Sequence, residues 1–226
     1  MSVWTRIADA LSALAQGQGL SAIFDTLRSP PERTAAFAIA VIALGAKMAK
    51  ADGLVTRDEV TAFREVFYIP KAEETNAARV YDLARKDIAG FEEYAHKIKA
   101  MFGAAEDTLT DLFEGLFHIA LADGAYHPGE DEFLIRIAAI FGFSDQTFSR
   151  LRAQFVPDAT RDPFDVLGVD PALPLDDIKA VWRKLVLDSH PDRMLARGVP
   201  AEAMQLAEKR LIAINQAWNA IQDLRT

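Results

Sequence analysis

The stretch "LDSHPDR", residues 187–193, separates two amphipathic segments near the end of a chain of 226 residues. Before it, "LDDIKAVWRKLV" places Ile178, Val181, Trp182, Leu185 and Val186 on one helical stripe, with Lys179 and Arg183 four residues apart on another face. After it, from residue 200 to 223, Ala203, Leu206, Ala207, Leu211, Ile214, Ala217, Trp218 and Ile221 form a matching stripe. The two helices should pair antiparallel, with His190, Pro191 and Asp192 in a loop at one tip. Pro191 stiffens that loop and holds His190 out of helical geometry, while Asp192 offers a carboxylate to a basic partner. Ser189 is the only hydroxyl beside His190, and no further acid or oxyanion pattern completes a hydrolase site. The pattern reads as a recognition tip rather than an enzyme's active site.

Working outward, "VPDATRDPFDVLGVDPALP" carries four prolines between 157 and 174 and marks a boundary between domains. Ahead of it nearly every segment has helical periodicity, so the fold class is all-α. Helices are expected over 2–16, 20–28, 32–51, 56–67, 71–86, 90–103, 105–122, 128–140 and 144–154. Residues 39–67 align with 110–138 at an offset of 71: "ADG" recurs at 51–53 and 122–124, and an acid follows seven residues after each Asp. One helical hairpin is used twice, and each copy needs the other to bury its apolar faces. The acids Asp52, Glu59, Asp123 and Glu130 admit two readings. If the hairpins pack about a pseudo-twofold axis, the four could supply oxygen ligands to a divalent cation such as Ca²⁺ or Mg²⁺. Alternatively, the glycines end the first helix of each hairpin while the acids cap or solvate the next, and this is the preferred reading.

Composition limits the function classes. Half of the residues are hydrophobic and 26% are charged, which suits a folded core. The net charge is −8, with the acidic excess in both parts of the chain, so neither carries a nucleic-acid footprint. Without cysteine there are no disulfides, thiolate zinc sites or cysteine nucleophiles. The longest uncharged apolar run, Thr34 to Ala46, has 13 residues, short of the roughly 20 that span a bilayer. No signal peptide or transmembrane span is expected, and the reading favours the cytoplasm. Val3, Trp4, Ile7, Leu11 and Leu14 share a stripe that could dock on the domain, on a second copy or on a membrane.

Two resemblances follow from these motifs. "DPFDVLGV", "DDIKAVWRKLVLDSHPDR" and "AEKRLIAINQAWNAI" occur in order over residues 162–224 and resemble a J domain, the co-chaperone module of the DnaJ family. Phe164 stands in the opening aromatic place, Trp182 replaces a tyrosine, Arg193 replaces a lysine, and Lys209, Arg210, Leu211, Asn215 and Trp218 fall where the closing motif has them. The resemblance implies a partner, an ATP-loaded chaperone of the DnaK type whose hydrolysis is stimulated. Lys179, Arg183 and Lys184 would meet an acidic surface of it, and His190, Pro191 and Asp192 would engage near its interdomain linker. Asp188 and Ser189 depart from the basic residues usual before the HPD, which should weaken steering. The glycine/phenylalanine-rich stretch and zinc-binding cysteines of full-length DnaJ proteins are missing.

"KADGLVTRDE" and "LADGAYHPGEDEF" resemble the TerB-like tellurite-resistance fold over residues 34–155, and that resemblance implies a metal site at Asp52, Glu59, Asp123 and Glu130. His127 departs from the acidic pattern. Together the two parts resemble the DjlA family of co-chaperones, whose usual membrane-spanning helix has no counterpart before Thr34. The expected organisation is an N-terminal helical extension over 1–33, a TerB-like helical bundle over 34–156 with the hairpin repeat, and a J-domain helical hairpin over 162–226. The expected function is a co-chaperone needing no cofactor, with the TerB-like part regulating or targeting it towards a client the sequence does not identify. The alternative is a metal-binding stress-response protein in which the J-like block only docks.

Overall fold

The computed structural model describes residues 3–14, 18–27, 30–51, 63–87, 90–103, 106–122, 124–156 and 162–225. Among them there are helices and turns but no strands. The architecture is organised by α3 (Pro30–Ala51), in which every residue from Ala35 to Leu44 is sealed from solvent. A helix with no polar face must be surrounded. It is enclosed by α1 (Val3–Ala13), α4 (Glu74–Lys86), α5 (Phe91–Phe102) and α6 (Glu106–Ala120). The Lys47 ammonium, buried near the end of α3, donates to the Asp87 carbonyl at 2.8 Å and lies 5.2 Å from the centre of the Tyr94 ring.

The N-terminal stripe docks on its own bundle. Val3, Trp4, Ile7 and Leu11 are buried against α3 and α4. The Trp4 indole sits edge-on to Phe67 at 6.2 Å, and its N–H donates to the Tyr68 carbonyl at 3.3 Å. The expected helix over 20–28 forms instead as a 3-10 turn, Leu20–Ala22, and a four-residue helix, α2 (Ile23–Thr26). Likewise α4 is preceded by a separate 3-10 turn at Lys71–Glu73.

The second copy of the hairpin repeat is α6, a turn, and α7 (Pro128–Phe141). Gly124 in that turn has φ +83, a left-handed conformation that a β-carbon disfavours. Glu130 caps α7 by accepting the His127 N–H at 2.9 Å, and is itself buried. The turn of the first copy, with Asp52 and Glu59, and Asp123 of the second lie outside the described residues, as do residues 157–161 of the proline-marked boundary. Phe113 packs with Phe117, Phe141, Phe143 and Phe148, joining α6 and α7 to α8 (Asp145–Phe155).

The last third contains α9 (Pro163–Leu167), α10 (Leu175–Asp188), α11 (Pro191–Ala196) and α12 (Gln205–Leu224). Asp162 caps α9 by accepting the Phe164 N–H at 2.9 Å. A second, smaller core joins Val166, Leu167, Ile178, Ile214, Trp218 and Ile221. Trp182 stacks on Trp218 at 5.2 Å and donates to Asn215 at 3.0 Å. Two local expectations are corrected. The segment after His190 is helical rather than an open loop, because Pro191 is pre-set for a first helical position. The final helix begins only after a 3-10 turn at Ala201–Ala203, and Leu211 on it is half-buried.

Since Trp4 ties α1 to the bundle, Trp4→Ala should lower the unfolding free energy by about 3–5 kcal/mol. Urea denaturation followed by circular dichroism measures it, and a loss below about 1 kcal/mol would mean that α1 contributes little to the core.

Candidate functional site

His190 is the N-cap of α11, with extended backbone (φ −65, ψ 135). Its Nδ1 accepts the Asp192 backbone N–H at 3.2 Å, so in the neutral ring the proton lies on Nε2. The imidazole is 55% exposed and the Asp192 carboxylate, with one oxygen 3.7 Å from Nδ1, is 87% exposed. Pro191 between them is half-buried. The Ser189 hydroxyl turns inward and donates to the Leu185 carbonyl at 2.7 Å, so it is not presented alongside the imidazole.

On α10, Arg183 and Lys184 are exposed and Lys179 is half-buried. None of the three forms a hydrogen bond or ion pair among the described residues. All six residues expected to contact a partner are therefore brought to α10 and the tip that follows it. Asp188, the unexpected acid, is ion-paired with Arg193 across the turn. Leu187 and Leu195 are exposed on either side of the tip.

The tip stands on the N-terminal bundle. Met194, Val199, Ala203, Leu206 and Ala207 belong to the large core that also contains α3 and α6. Under them lies an ionic seam that the sequence reading missed. Asp111 and Glu114 on α6 are 1% and 2% exposed. The Arg197 Nε donates to Asp111 Oδ2 at 3.0 Å, and Arg210 donates to Asp111 Oδ1 at 2.6 Å and to Glu114 Oε2 at 2.7 Å. Burial opposes the charge of Arg210, but the Glu114 and Asp111 carboxylates hold its guanidinium above the ordinary arginine range. Burial pushes the Glu114 carboxyl up, and the Arg210 guanidinium, which keeps its proton, opposes that. Lys209 beside it donates to the Glu65 carboxylate at 2.8 Å, and Gln205 to the Arg64 carbonyl at 2.8 Å. A signal for the seam existed. Asp107, Asp111, Glu114 and His118 recur at steps of four, three and four along a helix otherwise read as apolar.

His118 continues that stripe, edge-on to Phe155 at 4.8 Å, with no hydrogen-bond partner for its Nε2 among the described residues. Desolvation, aided by the nearby charges of Lys209 and Arg210, pushes it down to about 3. Of the four acids considered as metal ligands, only Glu130 is described, and its carboxylate serves the capping box of α7.

The family model described as tellurite resistance protein TerB matches residues 38–153. Proteins named co-chaperone protein DjlA are similar along most of the chain. That of Photobacterium profundum is 26% identical over 92% of this chain and 84% of its own. That of Vibrio cholerae is 26% identical over 95% and 87%, and that of Escherichia coli K12 is 25% identical over 98% of each. No solved structure matches.

Two measurements probe the seam. Arg210→Ala leaves Glu114 and part of Asp111 buried without their donor, and should destabilise the fold by about 3–5 kcal/mol in urea unfolding. A loss under about 1 kcal/mol would mean that solvent replaces the guanidinium. For His118, the unfolded imidazole titrates near 6.5 and the folded one near 3. Below about pH 6.5 the unfolded chain therefore binds a proton that the folded chain refuses, and stability should fall progressively towards pH 3. His118→Gln should reduce that slope.

Proposed function

We infer the function from the premise that this chain belongs to the TerB family and, along most of its length, is built like the DjlA co-chaperones. It is a co-chaperone that binds an ATP-loaded chaperone of the DnaK type through its C-terminal hairpin and stimulates ATP hydrolysis there. The observation that carries this reading is the tip itself: an exposed imidazole whose Nδ1 is occupied and an exposed carboxylate, next to a helix bearing Lys179, Arg183 and Lys184 without partners among the described residues.

Each part has a physical task. The three cations on α10 attract an acidic surface, raising the encounter rate and setting orientation, and salt should screen them. Asp192 can accept a charge-assisted, two-pronged bond from a partner arginine, which strengthens as contact excludes water. His190 Nε2–H supplies a directional donor beside it. The chain itself performs no covalent step in this scheme; hydrolysis belongs to the partner. With that partner we propose a cytoplasmic location, the TerB half serving as the regulatory or targeting part. No described helix is long and apolar enough to cross a membrane.

Single-turnover ATP hydrolysis by the DnaK-type chaperone tests the reading. The wild-type chain should accelerate it, and His190→Gln and Asp192→Asn should each lower the stimulation by at least about 30-fold, as expected when a desolvated charged contact loses one partner. Raising the salt should increase the concentration needed for half-maximal stimulation more than it lowers the maximum. Full stimulation by both variants would exclude this use of the tip.

A further inference from the structure

Arg197 is hydrogen-bonded to three residues at once, with the Asp107 carboxylate a further ion-pair partner at 3.9 Å. Its Nε and one terminal nitrogen reach the two Asp111 oxygens at 3.0 and 3.2 Å. Its other terminal nitrogen donates to the backbone carbonyl of Asp188 at 3.0 Å. Its own carbonyl accepts the Thr108 hydroxyl at 3.1 Å. Asp188 is the last residue of α10 and Arg197 is the first after α11, so these contacts bracket the segment that holds His190, Pro191 and Asp192. Arg197 is held on α6, a helix of the TerB half, by Asp111 and Thr108, and Asp188 reaches that helix only through Arg197. Between them, Met194 is buried in the core shared with that half.

We propose that Asp111 is a positioning residue of the HPD tip, fixing through Arg197 the turn from Asp188 to Arg197 and the direction in which the tip faces its partner. The idea deepens the co-chaperone reading and rests on it for its functional consequence. A planar guanidinium is suited to the task, because its fork serves a carboxylate with one edge and a carbonyl with the other. A lysine in its place would satisfy one or the other. The carboxylate also gains from burial, since water does not compete for the arginine and the geometry stays fixed between encounters. The TerB half is then a structural part of the recognition surface, although none of its residues stands at the tip. Arg210 ties α12 to α6 through Glu114 and through the same Asp111 carboxylate, and Glu114 does so without touching the turn.

The test is hydrogen exchange on the full chain, read over residues 188–199, where Arg193, Met194 and Val199 donate the amide bonds that close the turn. Asp111→Asn should speed exchange there by roughly tenfold or more, the scale of a lost charge-assisted bond. Residues 211–222 of α12 should be accelerated less, because Glu114 still pairs Arg210, and in Arg197→Gln they should exchange as in the wild type. Arg197→Gln, which leaves Asp111 paired with Arg210, should reproduce the effect if Asp111→Asn folds poorly. Glu114→Gln is the control, and should leave residues 188–199 as in the wild type. Equal acceleration by that control would reduce Asp111 to a general interface contact and overturn the proposal. So would unchanged exchange in both Asp111→Asn and Arg197→Gln.

The functional arm uses the ATPase assay. Asp111→Asn should lower maximal stimulation by roughly tenfold, with Arg197→Lys intermediate. Faster exchange with wild-type stimulation would overturn the functional part. If the wild-type chain itself does not stimulate, the co-chaperone reading fails, while the exchange result still decides whether Asp111 holds the turn.

Discussion

A helix with no face for water constrains everything around it. From Ala35 to Leu44, α3 is closed to solvent, so the chain must wrap it on every side. Because many of these residues are alanines, neighbouring helices can approach closely, and α1, α4, α5 and α6 do. One consequence concerns α6. Its apolar side is used against α3 and the aromatic cluster, which leaves Asp111 and Glu114 on a side that would be solvated in an isolated bundle. Here that side is covered by α12 and the segment after α11, and the two acids receive arginines instead of water.

Such a seam contributes less to stability than to arrangement. Desolvating two carboxylates and two guanidiniums offsets much of their attraction, and apolar residues of the same volume would serve cohesion as well or better. Apolar contacts tolerate sliding, whereas a two-pronged ion pair is satisfied at one register. The large core supplies cohesion, through Met194, Val199 and Leu206, and the seam selects the register. The C-terminal hairpin is thereby seated on the bundle, although it has a small core of its own around Ile178 and Trp218.

Much of this was legible in the sequence, for reasons of range. The stripes on α10 and α12 repeat every three or four residues, and the HPD residues stand where those stripes stop, so local periodicity located the tip. It also located the cations of α10, of which Arg183 and Lys184 are exposed. The helix after His190 was missed because six residues are too few to establish a period, although Pro191 at a first helical position was a clue. Asp111 and Glu114 find their arginines 86 to 99 positions away, a separation that local periodicity cannot encode. Only the polar stripe from Asp107 to His118 hinted that α6 had a second partner. Glu130 shows the ambiguity of acids near turns: the spacing that suggested a cation ligand also suits a capping box, and the capping bond is the one described.

The aromatic residues divide between the two cores in a way that has a practical consequence. Of three tryptophans, Trp4 lies edge-on to Phe67 in the large core, while Trp182 and Trp218 stack nearly parallel in the small one. The protein therefore carries two built-in optical reporters. The stacked indoles couple their electronic transitions and should give a paired signal in near-ultraviolet circular dichroism that vanishes when the hairpin opens. Trp4 fluorescence follows the bundle, so the two cores can be watched coming apart together or in turn, without adding a label.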